Sequence, residues 1–154
     1  TNWVWKLIFF RPNTHLTDPT RSSEWNRGAY LVSALGHCHE CHTPRNFLGA
    51  TKPSLSFSGT TYGPDNEKIP NITPDRETGI GDWGRDDIIW LLQTGFLPDG
   101  DVVGSSMADV IEHSTSQLTV ADQSAIATYL QSLMPIHNPL HINAKIEKRE
   151  LDVP

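Results

Sequence analysis

The run Cys38-His39-Glu40-Cys41-His42 restricts what this chain can fold into more than any other stretch. Two thiols separated by two residues, with a histidine directly after the second, form the attachment signature of a covalent haem of the c type. In that chemistry each thiol closes a thioether on a porphyrin vinyl group, and the imidazole of His42 binds the iron from one face. A chain built this way must wrap a flat apolar disc. Three other readings draw on the same residues. A structural disulfide between Cys38 and Cys41 leaves His42 without a task. A redox dithiol opens a helix after a strand in a βαβ setting, which this sequence lacks. A zinc site takes four protein ligands, and Cys38, Cys41 and His42 leave that shell short.

The 154 residues read as one domain with an arm at either end. Eleven Pro, eleven Gly and only 19% charged residues suit short helices joined by long ordered loops. Both cysteines of the chain lie in the motif, so no disulfide framework exists and the compartment must come from the cofactor. Covalent haem attachment implies assembly outside the cytoplasm, most simply in a bacterial periplasm. Twelve Lys and Arg against 18 Asp and Glu give a net charge of −6. That balance argues against nucleic acid and favours a partner with a basic face. No signal peptide is visible, so the chain reads as mature or as cut from something longer. The apolar run from Trp3 to Phe10 is too short to span a bilayer, which takes about 20 residues.

Organisation follows from punctuation. Residues 1–21 read as an extended apolar arm and connector. Ser22 or Ser23 caps a helix whose Tyr30, Leu31, Ala34 and Leu35 share a face, and Gly36 stops it. Gly28 inside that helix costs about 1 kcal/mol against Ala, which suggests a close neighbour. Residues 43–84 have loop composition, and a loop that long implies a wrapping role. A second helix is predicted over Arg85–Thr94, ended by Gly95. A loop from Phe96 to Ser116 carries Met107. The third helix starts at Thr119, with Asp122 in a capping-box position and Ile126, Tyr129, Leu130 and Leu133 as its stripe. After Pro135 a tail, 135–154, runs over the surface or onto a partner.

The order of glycine-bearing helix, haem motif, long loops, methionine loop and aromatic-bearing last helix resembles the class I cytochrome c fold over Ser22–Leu133. The resemblance implies an all-α domain, residues 22–134, with three to four short helices and long loops around one covalent haem. It also pairs Gly28 with Tyr129 where the first and last helices cross. Asn26-Arg27-Gly28-Ala29-Tyr30-Leu31-Val32, Cys41-His42-Thr43-Pro44-Arg45-Asn46, Pro70-Asn71-Ile72-Thr73-Pro74-Asp75, Thr78-Gly79-Ile80-Gly81 with Trp83, and Asp99-Gly100 ahead of Met107 are similar to the cytochrome c subunits of bacterial membrane-associated dehydrogenases of the alcohol and gluconate type. Those subunits usually carry several haem domains in tandem. With one motif, this chain reads as a single-haem relative or as one domain of a multihaem protein. Its arm resembles the connector ahead of a later haem domain.

A second axial ligand must reach the opposite haem face. Met134, at the end of the last helix, reads as a packing residue. Met107 matches the family's methionine position and is taken as the ligand, with His113 as the alternative. His/Met ligation raises the reduction potential. His42 needs an acceptor for its other ring nitrogen, expected from a backbone carbonyl in the loop after Pro44. Arg45 and Trp83, and less so Tyr62, are candidate donors to the haem propionates. The remaining histidines show no paired ligand spacing. His39 and Glu40 are expected to face solvent. Asp75, Glu77 and Asp82 do not fit the calcium-loop pattern, and no nucleophile elbow frames a serine.

These readings converge on periplasmic electron transfer by one haem c, its iron held by His42 and Met107. The implied partners are redox proteins: a dehydrogenase as donor, another cytochrome or an oxidase as acceptor, within a membrane-associated complex. A closed coordination shell leaves no place for a small-molecule substrate. The alternative is a haem enzyme or small-ligand sensor with an open sixth position.

Overall fold

The computed structural model describes residues 2–10, 17–63 and 67–139. Among these, six α-helices follow in order: α1 (Asn2–Phe9), α2 (Ser23–Tyr30), α3 (Cys38–His42), α4 (Arg85–Thr94), α5 (Ser105–His113) and α6 (Val120–Gln131). No strand forms among the described residues. Three isolated antiparallel bridges, Arg45–Thr51, Thr60–Ile69 and Phe96–Val102, pinch the loops instead. The fold is all-α and cytochrome c-like, with more helices than the three to four expected.

Two helices correct the sequence reading. The arm is helical over Asn2–Phe9 and not extended. Its periodicity is hidden because nearly every residue is apolar. The helix declares itself through Trp5 and Phe9, one turn apart with ring centroids 5.5 Å apart. The Trp5 indole N–H also donates to the Leu48 carbonyl at 2.8 Å. The second is α5, which occupies much of the expected 96–116 loop. Met107, Ala108 and Glu112 are good helix formers, and the Gly-Ser-Ser entry disguises them. Residues 11–16 of the connector and 140–154 of the tail lie outside the described residues.

The domain is organised around the contact of α2 with α6. Ser22 caps α2, its hydroxyl accepting from the Trp25 N–H at 3.1 Å. The helix continues as a wider π-type turn, Leu31–Leu35, up to Gly36. Gly28 sits against α6 so closely that a Cβ there would lie 1.9 Å from the Ala125 carbonyl oxygen and 2.8 Å from Tyr129 Cβ. The costly glycine is therefore a contact requirement, against the aromatic residue the resemblance implied. That contact also fixes which face is buried: Gly28, Ala29, Leu31 and Val32 go inward, while Tyr30 and Leu35 are exposed. Trp25 packs edge-on to Tyr129 at 5.2 Å and donates to Ser132 Oγ at 2.6 Å. Arg27 forks onto both Asp122 carboxylate oxygens at 2.7 and 3.0 Å.

Thr119 caps α6 as read, accepting from the Asp122 N–H at 3.2 Å. The Asp122 carboxylate serves Arg27. α4 runs from Arg85 to Thr94 and ends on Gly95 at φ 79°, as its sequence predicts. Leu31, Val32, Phe57, Ile80, Ile88, Leu92, Ile126, Ala127 and Leu130 form the core cluster. Gln123, only 1% exposed, is satisfied there by Gln93 Nε2 at 2.8 Å and the Thr115 carbonyl at 3.0 Å. No helix among the described residues is long and apolar enough to cross a membrane.

Candidate haem site

The motif folds as α3, directly after the π-type turn. His37 turns the chain into it in the left-handed region, φ 47°, a conformation that His tolerates better than most residues. Both cysteines are free thiols, each partly buried. Cys38 packs against the core cluster. Burial pushes its thiol up to about 11, with a smaller contribution from Cys41. A redox dithiol works through a lowered thiol pKa, so this environment disfavours that reading. It suits a sulfur lying against an apolar macrocycle. Among the described residues no group of three or more His, Cys, Asp or Glu is placed to hold a metal.

His42 is 7% exposed, and its Nδ1 lies 2.8 Å from the Pro70 carbonyl oxygen. A carbonyl only accepts, so Nδ1 is the donor in this contact, the kind of bond by which a ligating imidazole is oriented. Pro70 is thus the acceptor expected somewhere after Pro44. The loop around it is tightly determined. Thr60 and Ile69 exchange two backbone hydrogen bonds at 2.9 and 2.8 Å, and the Gly59 N–H donates to the His42 carbonyl at 2.7 Å. Gly59, at φ 80°, passes so close beneath the Pro70 peptide that a Cβ would meet the Pro70 carbonyl carbon at 2.7 Å. Phe57 holds a left-handed conformation, φ 65°, uncommon for a bulky side chain. Its N–H donates to Thr43 Oγ1 at 3.1 Å, and its carbonyl accepts from Ile72 at 2.9 Å.

Met107 comes from a different element. It is half-buried in the first turn of α5, whose main packing partners are α4 and the short turn Thr115–Gln117. Next to it, Ser106 Oγ donates to Glu67 Oε2 at 3.1 Å, tying the start of α5 to the loop that ends in Pro70. His113, the alternative ligand, is exposed at the far end of α5. Met134 is exposed as well and does not pack in the core.

The expected propionate donors fare differently. Arg45 pairs with Glu40 inside the motif and donates to the Gly49 carbonyl at 2.8 Å. Glu40 and His39 are therefore not simply solvated: His39 Nε2 lies 3.0 Å from Glu40 Oε1, and its ring approaches Phe57 edge-on at 6.4 Å. Partial desolvation pushes the Glu40 carboxyl up. The Arg45 hydrogen bond and the His39 and Arg45 charges outweigh it, leaving the group below its ordinary value. Trp83 packs at the edge of the core cluster, its carbonyl accepting from Gln131 at 3.2 Å. A cleft of about 360 Å³ beside Cys41 is lined by Arg45, Thr43, Thr60 and Tyr62. A cavity of about 400 Å³ between α4 and α5 contains none of the candidate ligands.

Two cysteines spaced along one helix, beside a buried imidazole oriented by the Pro70 carbonyl, fit haem c. Fold and donor set together fit a c-type cytochrome domain. Comparison with known proteins agrees. The chain is 43% identical over 131 residues to the fructose dehydrogenase cytochrome subunit of Gluconobacter japonicus, covering 84% of this chain and 26% of that protein. It is 44% identical over 132 residues to a diheme cytochrome c-type protein of Cereibacter sphaeroides, covering 86% and 43%. It is 38% identical over 136 residues to the cytochrome c subunit of the quinone alcohol dehydrogenase of Gluconobacter oxydans, covering 84% and 28%. No family model matches. Over most of its length the chain is similar to cytochrome c subunits of bacterial dehydrogenases, and that similarity implies haem c with its iron. It spans between about a quarter and under half of the length of these three relatives.

Proposed function

We propose that this domain carries electrons through a single haem c. Cys38 and Cys41 would hold the macrocycle through thioethers, and His42 and Met107 would hold its iron. Bound there, the haem supplies one-electron oxidation and reduction. The protein's part is to fix the ligands, exclude water from the disc and set the potential through the thioether of Met107. Trp83 and Arg45 are assigned to the propionates, Arg45 by exchanging its Glu40 contact. The domain takes electrons from a dehydrogenase and hands them to another cytochrome or an oxidase, on the periplasmic side of a membrane-associated complex. The observation that carries this reading is the His42–Pro70 hydrogen bond beside two free, partly buried thiols.

Replacing Met107 with Ala tests the ligand set. The variant should lose the weak long-wavelength ferric band of His/Met haem, show a lower midpoint potential and bind carbon monoxide in the ferrous state. The unsubstituted protein should bind carbon monoxide only slowly. Rapid binding to the unsubstituted protein would instead identify an open sixth position, and with it a ligand-binding or peroxidatic haem.

A further inference from the structure

The chain beyond α6 does not leave the domain at Pro135. Ile136 to Asn138 lie across the loops that carry the His42 contacts, and Asn138 is buried at 6% exposure. Asn138 Nδ2 donates to the Ser58 carbonyl at 2.8 Å and the Gly59 carbonyl at 3.3 Å. Its backbone N–H donates to Thr78 Oγ1 at 3.1 Å. Two residues earlier, the Ile136 carbonyl accepts from Asn71 Nδ2 at 2.8 Å, and the Ile136 N–H donates to Thr73 Oγ1 at 3.1 Å. One strap therefore holds both loop segments that fix the imidazole. Gly59 donates to the His42 backbone, and Asn71 follows the Pro70 whose carbonyl accepts from the His42 ring.

We propose that Ile136–Asn138 is a positioning strap for the haem ligand, with Asn138 its central residue: by fixing Gly59 and Asn71 together it sets the His42–Pro70 hydrogen bond. Buried amides that lose both partners leave carbonyls unsatisfied, so the strap and the two loops act as one polar unit. A tighter Nδ1–H bond makes the imidazole a stronger donor to iron. Position of the strap thereby reaches the reduction potential without touching the haem. The inference rests on His42 being the axial ligand.

The test uses the holoprotein with Asn138→Ala, with Gln123→Ala as a control that removes a buried amide from the α4–α6 interface. Both variants should keep covalent haem and a low-spin spectrum. In Asn138→Ala alone, solvent exchange of the His42 ring proton should accelerate about tenfold as its bond to the Pro70 carbonyl loosens, and the midpoint potential should move. If Asn138→Ala yields no holoprotein, Asn138→Ser, too short to reach both carbonyls, takes its place with the same expectation. Lowered stability with unchanged ring-proton exchange and potential, as in the control, would overturn the strap. Failure to find a haem-shifted histidine ring proton in the unsubstituted protein would instead overturn the ligand assignment.

Discussion

His42 is fixed at two points, its carbonyl by Gly59 and its ring by Pro70, and both constraints pass through one glycine. Gly59 sits at φ 80° with the Pro70 carbonyl carbon and the Ile69 carbonyl oxygen 2.7 and 2.6 Å from where a Cβ would stand. Gly59→Ala must therefore pay twice, once in backbone conformation and once in displacing the Pro70 peptide. The expected loss is about 1–3 kcal/mol in urea unfolding, with a weakened His42 hydrogen bond visible as faster ring-proton exchange. A variant with an unchanged unfolding midpoint would show that the Pro70 peptide yields freely, contrary to its two bonds through Thr60 and Ile69. Nothing in the sequence around Gly59 announces this contact, because its partners lie ten residues on and are backbone atoms.

The α2–α6 contact concentrates the tertiary packing of the helices at Gly28. Gly28→Ala would force a methyl into the Ala125 carbonyl, so the helices must separate; an expected loss of about 1–3 kcal/mol should appear as a lower thermal midpoint. Beside it, the Arg27 hydrogen bonds, opposed by modest desolvation, hold the Asp122 carboxyl below its usual value of 3.8. A lowered folded-state value gives stability that is present above the unfolded-state value and lost as pH falls through the folded one. Asp122→Asn should therefore cost up to about 1 kcal/mol near neutral pH, the range for a partly exposed pair. The difference from the unsubstituted protein should shrink below about pH 4. An offset that stays constant with pH would show that packing, not charge, accounts for it. The elements whose limits could be read beforehand, α4 and α6, carry explicit punctuation: Gly95 in the left-handed region and Thr119 at a cap. α1 and α5 escaped because one is apolar at six of its eight positions and the other begins with Gly-Ser-Ser. The motif and Met107 stand out by residue type, whereas Pro70, Gly59 and Asn138 act through backbone groups or a single amide and leave no such mark.

The domain as a whole is poorly supplied with apolar packing for its length of loop. The segments between α3 and α4 are held by buried polar side chains: Thr43, Asn71, Thr73 and Asn138 each bond backbone of another segment, and Ser58 bonds the Leu55 carbonyl within its own turn. Such bonds contribute modestly and are expensive to leave unmade, so they specify an arrangement more than they drive collapse. The drive must come from apolar area, and in the proposed holoprotein much of that area is the haem disc against Cys38 and the core. A covalently attached group stays on the unfolded chain too, so it stabilises the fold as a part of the chain does, through the apolar area it buries. Cys38→Ser combined with Cys41→Ser should therefore yield a chain that keeps some helix from α2 and α6 but loses cooperative unfolding. Far-ultraviolet circular dichroism in urea would show a broad, shallow transition, and amide exchange would lose protection first across residues 57–63 and 67–80. A sharp transition with an undiminished midpoint would mean that the polar loop network and the α2–α6 contact suffice alone, and that the haem is a passenger in a fold already complete.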